Sequence, residues 1–208
     1  RHIRLWHEIN LRNFSANSES AEELWKNSQK KWIPFNKGGE AKKWYGNLDY
    51  VINYDKTSYS LLKESGNQCP SEEYYFRDCL TWSDVTSGPF GVRFYPRGSV
   101  FSSVGNSIFE TELGLPEICC NLVSKPVVEW LKVINPTLHA NPGDVARLPL
   151  ARPDSQKCRE IFRSAVAVSR SNWDSYEISW DFQNLAIVTN ANRCVTLSDS
   201  FISWFQAA

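Results

Sequence analysis

The apolar positions along the chain change period several times, and each change predicts an element. From Arg1 to Arg12, the residues Ile3, Leu5, Trp6 and Ile9 fall close to helical spacing. Ser20, with Glu23 three residues on, has the form of a capping box and predicts a short helix with Leu24 and Trp25 turned inward. Residues 1–31 therefore read as helical. Trp32 to Phe35 runs into Asn36-Lys37-Gly38-Gly39, a loop signal, and Tyr50 to Tyr54 reads as a strand. Residues 70–110 read as mostly β, through Tyr74-Tyr75-Phe76, Leu80-Thr81-Trp82, Phe90 to Tyr95, Val100-Phe101 and Gly105 to Phe109.

Helical periodicity returns over residues 116–134, where Ile118, Leu122, Val123, Val127, Trp130, Leu131 and Ile134 keep an apolar stripe that Asn135-Pro136 stops. Asn141 to Asp144 is a turn, Val145 to Leu150 reads as one more strand, and a helix runs from Ser155 through Val168. Asp174 to Phe182 is aromatic, acidic and partly irregular. The fold class expected is α+β: a twisted, mainly antiparallel β region flanked by helices, with a helical C-terminal tail.

A chain of 208 residues with 42% hydrophobic and 22% charged residues can bury one substantial core and has room for a small second unit. Basic and acidic residues balance at 23 each, which excludes a uniformly basic nucleic-acid coat but leaves room for a local basic face. Nine tryptophans mark a β-rich core or a stacking surface. Six cysteines without a C-x-x-C pair, and three histidines, offer no zinc-ligand spacing. Adjacent Cys119 and Cys120 in an apolar run read as buried thiols of a reducing compartment. No apolar run approaches the roughly 20 residues of a membrane span. The chain opens on Arg and is expected to be a piece of something longer.

Charge concentrates between Lys26 and Gly46. Lys26, Lys30, Lys31, Lys37, Lys42 and Lys43 face one acid, Glu40, giving net +5 in a neutral protein. Trp32, Phe35, Trp44 and Tyr45 interleave with them, and Gly38-Gly39 permits close backbone approach. Lysines bind phosphates as point charges and open amides add donors; a solvated lysine face beside core aromatics fits the same composition. Arg93 and Arg97, on a strand and the turn after it, suit guanine readout, but on composition a surface strand charge is the readier reading. Glu72, Glu73 and Asp78 could supply carboxylates for glycoside hydrolysis or line a solvated loop. The chain has no P-loop, no G-x-G-x-x-G and no convincing catalytic triad. The adenine-methyltransferase loop [DNS]-P-P-[YFW] is also missing, since Asn135-Pro136-Thr137 and Asn141-Pro142-Gly143 do not match it.

Several stretches taken in order resemble one family. They are Lys31-Trp32-Ile33-Pro34-Phe35-Asn36-Lys37-Gly38-Gly39-Glu40, Lys43-Trp44-Tyr45-Gly46-Asn47, Tyr50-Val51-Ile52-Asn53 and Glu73-Tyr74-Tyr75-Phe76 leading to Thr81-Trp82. Phe90-Gly91-Val92-Arg93, Tyr95-Pro96-Arg97-Gly98, Asn135-Pro136-Thr137-Leu138 and Gly143-Asp144-Val145-Ala146-Arg147-Leu148-Pro149 follow. The last are Trp173-Asp174-Ser175-Tyr176-Glu177 and Ser179-Trp180-Asp181-Phe182. Together, over residues 1–182, they resemble the BREX phage-defence adenine methyltransferases of the phage-growth-limitation X type. The stretch from Leu115 to Leu150 is also similar to the specificity domains of type I and type IIG restriction systems.

The resemblance implies a C-terminal target-recognition region that reads a short site in double-stranded DNA, for adenine-N6 methylation in a bacterial, cytoplasmic, restriction-modification-like system. S-adenosylmethionine and the catalytic residues would belong to the methyltransferase half of the same protein. It implies a DNA-reading domain over residues 1–150 with a helical tail or spacer over 151–208. The DNA contacts it implies are Lys37, Gly38, Gly39, Lys42, Lys43 and Trp44, with Lys30, Lys31, Tyr45, Arg93 and Arg97 completing the candidate set. The other readings are a protein-interaction module that docks other BREX subunits or a DNA-mimic phage inhibitor, and a carbohydrate-binding or hydrolysing domain.

Overall fold

Strand β1 (Ile3–Leu5), helix α1 (Ala21–Lys26), strands β2 (Trp32–Asn36) and β3 (Tyr50–Asn53) and helix α2 (Lys56–Glu64) open the structure, a computed structural model. Strands β4 (Cys79–Ser83), β5 (Arg93–Tyr95), β6 (Val100–Phe101) and β7 (Gly105–Ile108) follow. Helices α3 (Leu115–Leu122), α4 (Lys125–Ile134), α5 (Pro142–Val145), α6 (Ser155–Asp174) and α7 (Leu197–Ala207) complete it. The described residues are 2–66, 69–85, 88–185, 188 and 196–207.

Two sheets form. The first runs β1-β3-β2-β6, antiparallel except for the parallel β2–β6 pair. The second, β5-β4-β7, is antiparallel throughout, with Thr81 opposite both Arg93 and Ser107. The architecture is α+β, as the sequence pattern indicates.

Local chemistry sets most element ends. The Ser20 hydroxyl accepts from the Glu23 N–H, so the expected cap opens α1, and Leu24 is buried. Asp55 and Asp154 cap α2 and α6 in the same way.

Four expectations are corrected. Arg1 to Arg12 is not a helix. Its first residues extend as β1, Ile3 pairs with Ile52, and single 3-10 turns follow. Partners on β3 override the local spacing. Tyr74 to Phe76 is not a strand: Tyr74 ends a 3-10 turn and stays exposed, while the two consecutive rings of Tyr75 and Phe76 both pack inward. Tyr74 packs on Phe109; Tyr75 is buried and Phe76 packs on Tyr54, a pairing that a left-handed Phe76 (φ 63°) permits and strand alternation forbids. Residues 116–134 form two helices, since Pro126 cannot donate to a continuing ladder and sits instead in the first turn of α4. Val145 to Leu150 is a helical turn: Val145 and Leu148 are both buried, a spacing of three, and the Leu148 N–H bonds the Val145 carbonyl.

Three apolar clusters result. Leu80, Trp82 and Val92 pack under α3 and α4 against Ile118, Leu122 and Leu131. Leu24, Ile33, Phe35, Ile52, Tyr54 and Val100 form the second. The third joins Tyr45, Leu48, Cys79 and Tyr95 to Trp173 of α6. Helix α6 also lies along α3, with Arg159 3.9 Å from Glu117 and Phe162 edge-on to Phe94.

Between the two sheets the contact is polar. The Asn36 amide donates to the Thr81 hydroxyl at 2.7 Å, and that hydroxyl donates to the Asn106 carbonyl at 2.7 Å. Thr81 is fully buried and Asn36 nearly so. Thr81→Val keeps the shape and removes both bonds, so it is expected to cost about 1–3 kcal/mol. Urea unfolding checks this through a lower midpoint at unchanged slope.

Candidate nucleic-acid interface

Strand β2 delivers the chain into a loop over residues 37–49 whose shape rests on left-handed backbone. Gly38 (φ 85°) and Gly39 (φ 124°) turn it, with the Gly38 N–H donating to the Asn36 side chain. A Cβ on Gly39 would lie 2.8 Å from the Asn47 amide, so the turn is closed to larger residues. Asn47 (φ 58°) donates its side-chain amide to the Glu40 carbonyl at 2.8 Å. Trp44 (φ 71°) gives its N–H to the Val92 carbonyl at 2.9 Å and accepts from the Phe94 N–H at 2.8 Å. One residue of the loop thus rides on the edge of β5 opposite Arg93.

This pinning sorts the candidate residues. Lys37, Gly38, Gly39, Lys42, Lys43 and Trp44 share the one loop. Lys37 and Lys43 are exposed and Lys42 is half-buried. The Lys37 ammonium stands 4.6 Å over the Tyr50 ring. Trp44 is half-buried against the cluster beneath α3 and α4.

A second group sits at the other end of β2, about 17 Å of strand away. Lys30 donates to the Phe14 carbonyl at 2.8 Å, and Lys31 is half-buried with its N–H on the Asn13 carbonyl. The Arg97 turn rests there too, since Gly98 abuts Ala16 and Asn17. Arg97 pairs with Asp78 at 3.5 Å and lines a cleft of about 680 Å³ between Phe76, Phe94, Phe109 and Phe162.

Two candidates are interior, not surface. Tyr45 is buried, and burial pushes its hydroxyl up to about 12, against the pull of Arg170 over its ring. Arg93 is fully buried, and burial pulls its guanidinium down to about 10. Neither presents a side chain to a ligand in this conformation. Of the carboxylates weighed for glycoside hydrolysis, Glu72 is engaged by Tyr59 and Lys63, and Asp78 by Arg97. Asn36, Asn47 and Tyr50, which shape and back the loop, were not singled out by sequence. An Asn two residues ahead of the Gly38-Gly39 pair was the available signal.

Thiols take no part in the loop. Burial raises Cys69, Cys79 and Cys119 above the ordinary thiol range, Cys79 to about 12. Cys194 lies outside the described residues. Because the thiolate is the reactive form, Cys69, Cys79 and Cys119 are expected to stay unlabelled by iodoacetamide at pH 8 until denaturant is added, which peptide mapping reads. The same shifts fix an alkaline limit. In the folded state Cys79 and Tyr45 hold protons that the unfolded chain releases from about pH 9–10. Their contribution is complete below that pH and is lost as pH rises toward 12. Thermal melts at pH 8, 10 and 11 should show a falling Tm.

Among the described residues no helix is long and apolar enough to cross a membrane. No family profile matches the chain. It is similar to the adenine-specific methyltransferase PglX of Lacticaseibacillus casei (strain Zhang), 32% identical over 217 residues, covering 99% of this chain and 18% of that protein. It is likewise similar to the adenine-specific methyltransferase BrxX of Escherichia coli O9:H4 (strain HS), 29% identical over 189 residues, 89% of this chain and 15% of that protein. The chain thus spans less than a fifth of the length of these relatives. Nearly all of it aligns with them, so over its length the chain is a homologue of one stretch of these BREX adenine-specific methyltransferases.

Proposed function

We propose that the chain is a DNA-reading segment of a site-specific adenine-N6 methyltransferase in bacterial phage defence. The observation that carries this reading is the loop over residues 37–43. It holds Lys37, Lys42 and Lys43 with one acid, Glu40, in a left-handed turn that Trp44 bonds to the edge of β5. Point charges and a glycine turn are what sequence-independent phosphate contacts need. Lys30, Lys31 and Arg97, at the far end of β2, make a second patch along the same duplex. S-adenosylmethionine and the methyl transfer belong to the part of the relatives that this chain does not match. The reading domain takes in residues 1–150 and the tail residues 151–208, whose helix α6 braces the reader through Trp173.

Fluorescence anisotropy with random-sequence duplex DNA across salt concentrations tests this. Binding that weakens steeply with salt supports it. No binding even at low salt counts against it and favours a second reading, a docking surface for other defence subunits or a DNA-mimic inhibitor. That reading has its own observation: Trp130 and Val133 of α4 and Leu138 beyond it are exposed, as are Leu197, Phe201 and Phe205 of α7.

A further inference from the structure

Arg93 presents a physical problem that the fold does not need. It lies on β5 facing the loop, on the same side as Tyr95, and its guanidinium is 0% exposed. Nη1 reaches the Ser83 hydroxyl at 3.4 Å, a long bond, while Nε and Nη2 have no partner among the described residues. Among those residues it forms no salt bridge. Asp49 acts on it only at a distance, and that carboxyl is itself raised by burial. Burying a cation without a partner is strongly unfavourable, and an apolar residue of similar volume would serve the fold better.

The basic loop lies beside Arg93, with Trp44 bridged to its backbone and Glu40 against Ser83, which the guanidinium touches. Gly91 packs on the Lys42 backbone, where a Cβ would meet the carbonyl at 2.7 Å, and Ser83 touches the Glu40 carbonyl at 3.5 Å. The loop's hydrogen bonds to the sheet are the Trp44 N–H and carbonyl bonds and that long Ser83 contact, while Tyr45 and Trp44 seat it on two of the apolar clusters. Its backbone is strained, since Trp44 and Asn47 sit at positive φ, a conformation that costs non-glycine residues free energy. Glycines stand at both ends: Gly38 and Gly39 at φ 85° and 124°, and Gly46 at φ 130°. Glycine absorbs large backbone changes with the least steric cost. Lys42 and Lys43, on the loop itself, would draw an anion to this place.

We propose that segment 39–47 is a hinged cover and Arg93 a latent phosphate contact. When the chain meets duplex DNA the cover moves off β5. The guanidinium then leaves a buried, unpaired position for a bidentate pair with a backbone phosphate, whose geometry its planar fork matches. The inference rests on the DNA-reading proposal and deepens it: the exposed lysines make the encounter, and Arg93 joins only in the bound state.

The test is Arg93→Met, an unbranched apolar replacement, in the anisotropy assay with random duplex DNA and in thermal melts. Removal of the unpaired charge should leave the chain as stable or raise its Tm by roughly 2 °C or more. DNA affinity should nonetheless fall about tenfold, and the slope of log affinity against log salt should shrink by about 0.9, the value for one phosphate contact. Hydrogen exchange on the wild-type chain gives a readout that no variant can confuse: the Trp44 and Phe94 amides should lose protection when DNA is added. Wild-type binding with an unchanged affinity and slope in the variant, or with those two amides equally protected, overturns the latent contact alone. No DNA binding by the wild-type chain overturns the DNA-reading proposal and this inference with it.

Discussion

Trp82→Ala is expected to remove a large fraction of the folding free energy of the chain. Trp82 is 1% exposed on β4, the middle strand of its sheet. One face of that sheet is covered by α3 and α4, and Trp82 shares their cluster with Leu80, Val92, Ile118 and Leu131. Its indole N–H donates to the Ala140 carbonyl at 2.7 Å, which fastens the segment after α4 back onto the sheet. Truncation therefore removes apolar contact, leaves a cavity walled by two helices and frees the Ala140 segment. Buried Trp→Ala changes cost about 3–5 kcal/mol, out of a total of about 5–15 kcal/mol for a domain. For a chain of this size that corresponds to a Tm lower by roughly 10 °C. Trp82→Phe retains most of the volume, loses only the indole bond, and should fall between the two. Near-UV circular dichroism melts measure all three. An alanine variant melting within a degree or two of wild type would show that this cluster does not hold the fold.

The same residues show what the sequence could and could not disclose. The capping Ser20, the strand at Tyr50 to Asn53 and the central Leu80-Thr81-Trp82 were legible because each is decided by neighbours within a few positions. Arg1 to Arg12 was not, because Ile3 is placed by Ile52 on a distant strand, and pairing there outweighs a helical spacing of four apolar residues. Tyr74 to Phe76 looks like a strand on composition, but the left-handed Phe76 lets the consecutive rings of Tyr75 and Phe76 both pack inward, which strand alternation would not. The site divides along the same line. Charge concentration marked the loop at residues 37–43, since net charge is a property of the chain. Which members face solvent depends on packing, so nothing local separated exposed Lys43 from buried Tyr45, two positions apart. Arg93 reads as a surface arginine until its opposite neighbours, Trp44 and Thr81, are known.

Replacing Lys37, Lys42 and Lys43 together by alanine is expected to reduce affinity for random duplex DNA by about ten- to a hundredfold at low salt. Three lost phosphate contacts should also lessen the log–log salt slope by roughly 2.7. Nothing in the fold opposes these changes. Lys37 and Lys43 are exposed, Lys42 is half-buried, and the loop is held by Gly38, Gly39, Trp44 and Asn47, not by lysine side chains. The largest loss on the folded side is the Lys37 ammonium over Tyr50, an exposed cation–π contact worth about 0.5–1 kcal/mol. Thermal stability should therefore stay within a few degrees of wild type while binding collapses, which separates a DNA face from a structural one. Lys30→Ala with Lys31→Ala provides the geometric comparison. Their patch is the length of β2 away, so a duplex lying across both ends would lose affinity to either set, with effects that add as for distant sites. A duplex engaged only by the loop would leave the Lys30 and Lys31 variant near wild type in both affinity and slope. Unchanged binding in the triple variant would remove the loop from the interface and leave the aromatic cleft beside Arg97, or the exposed faces of α4 and α7, to account for the function.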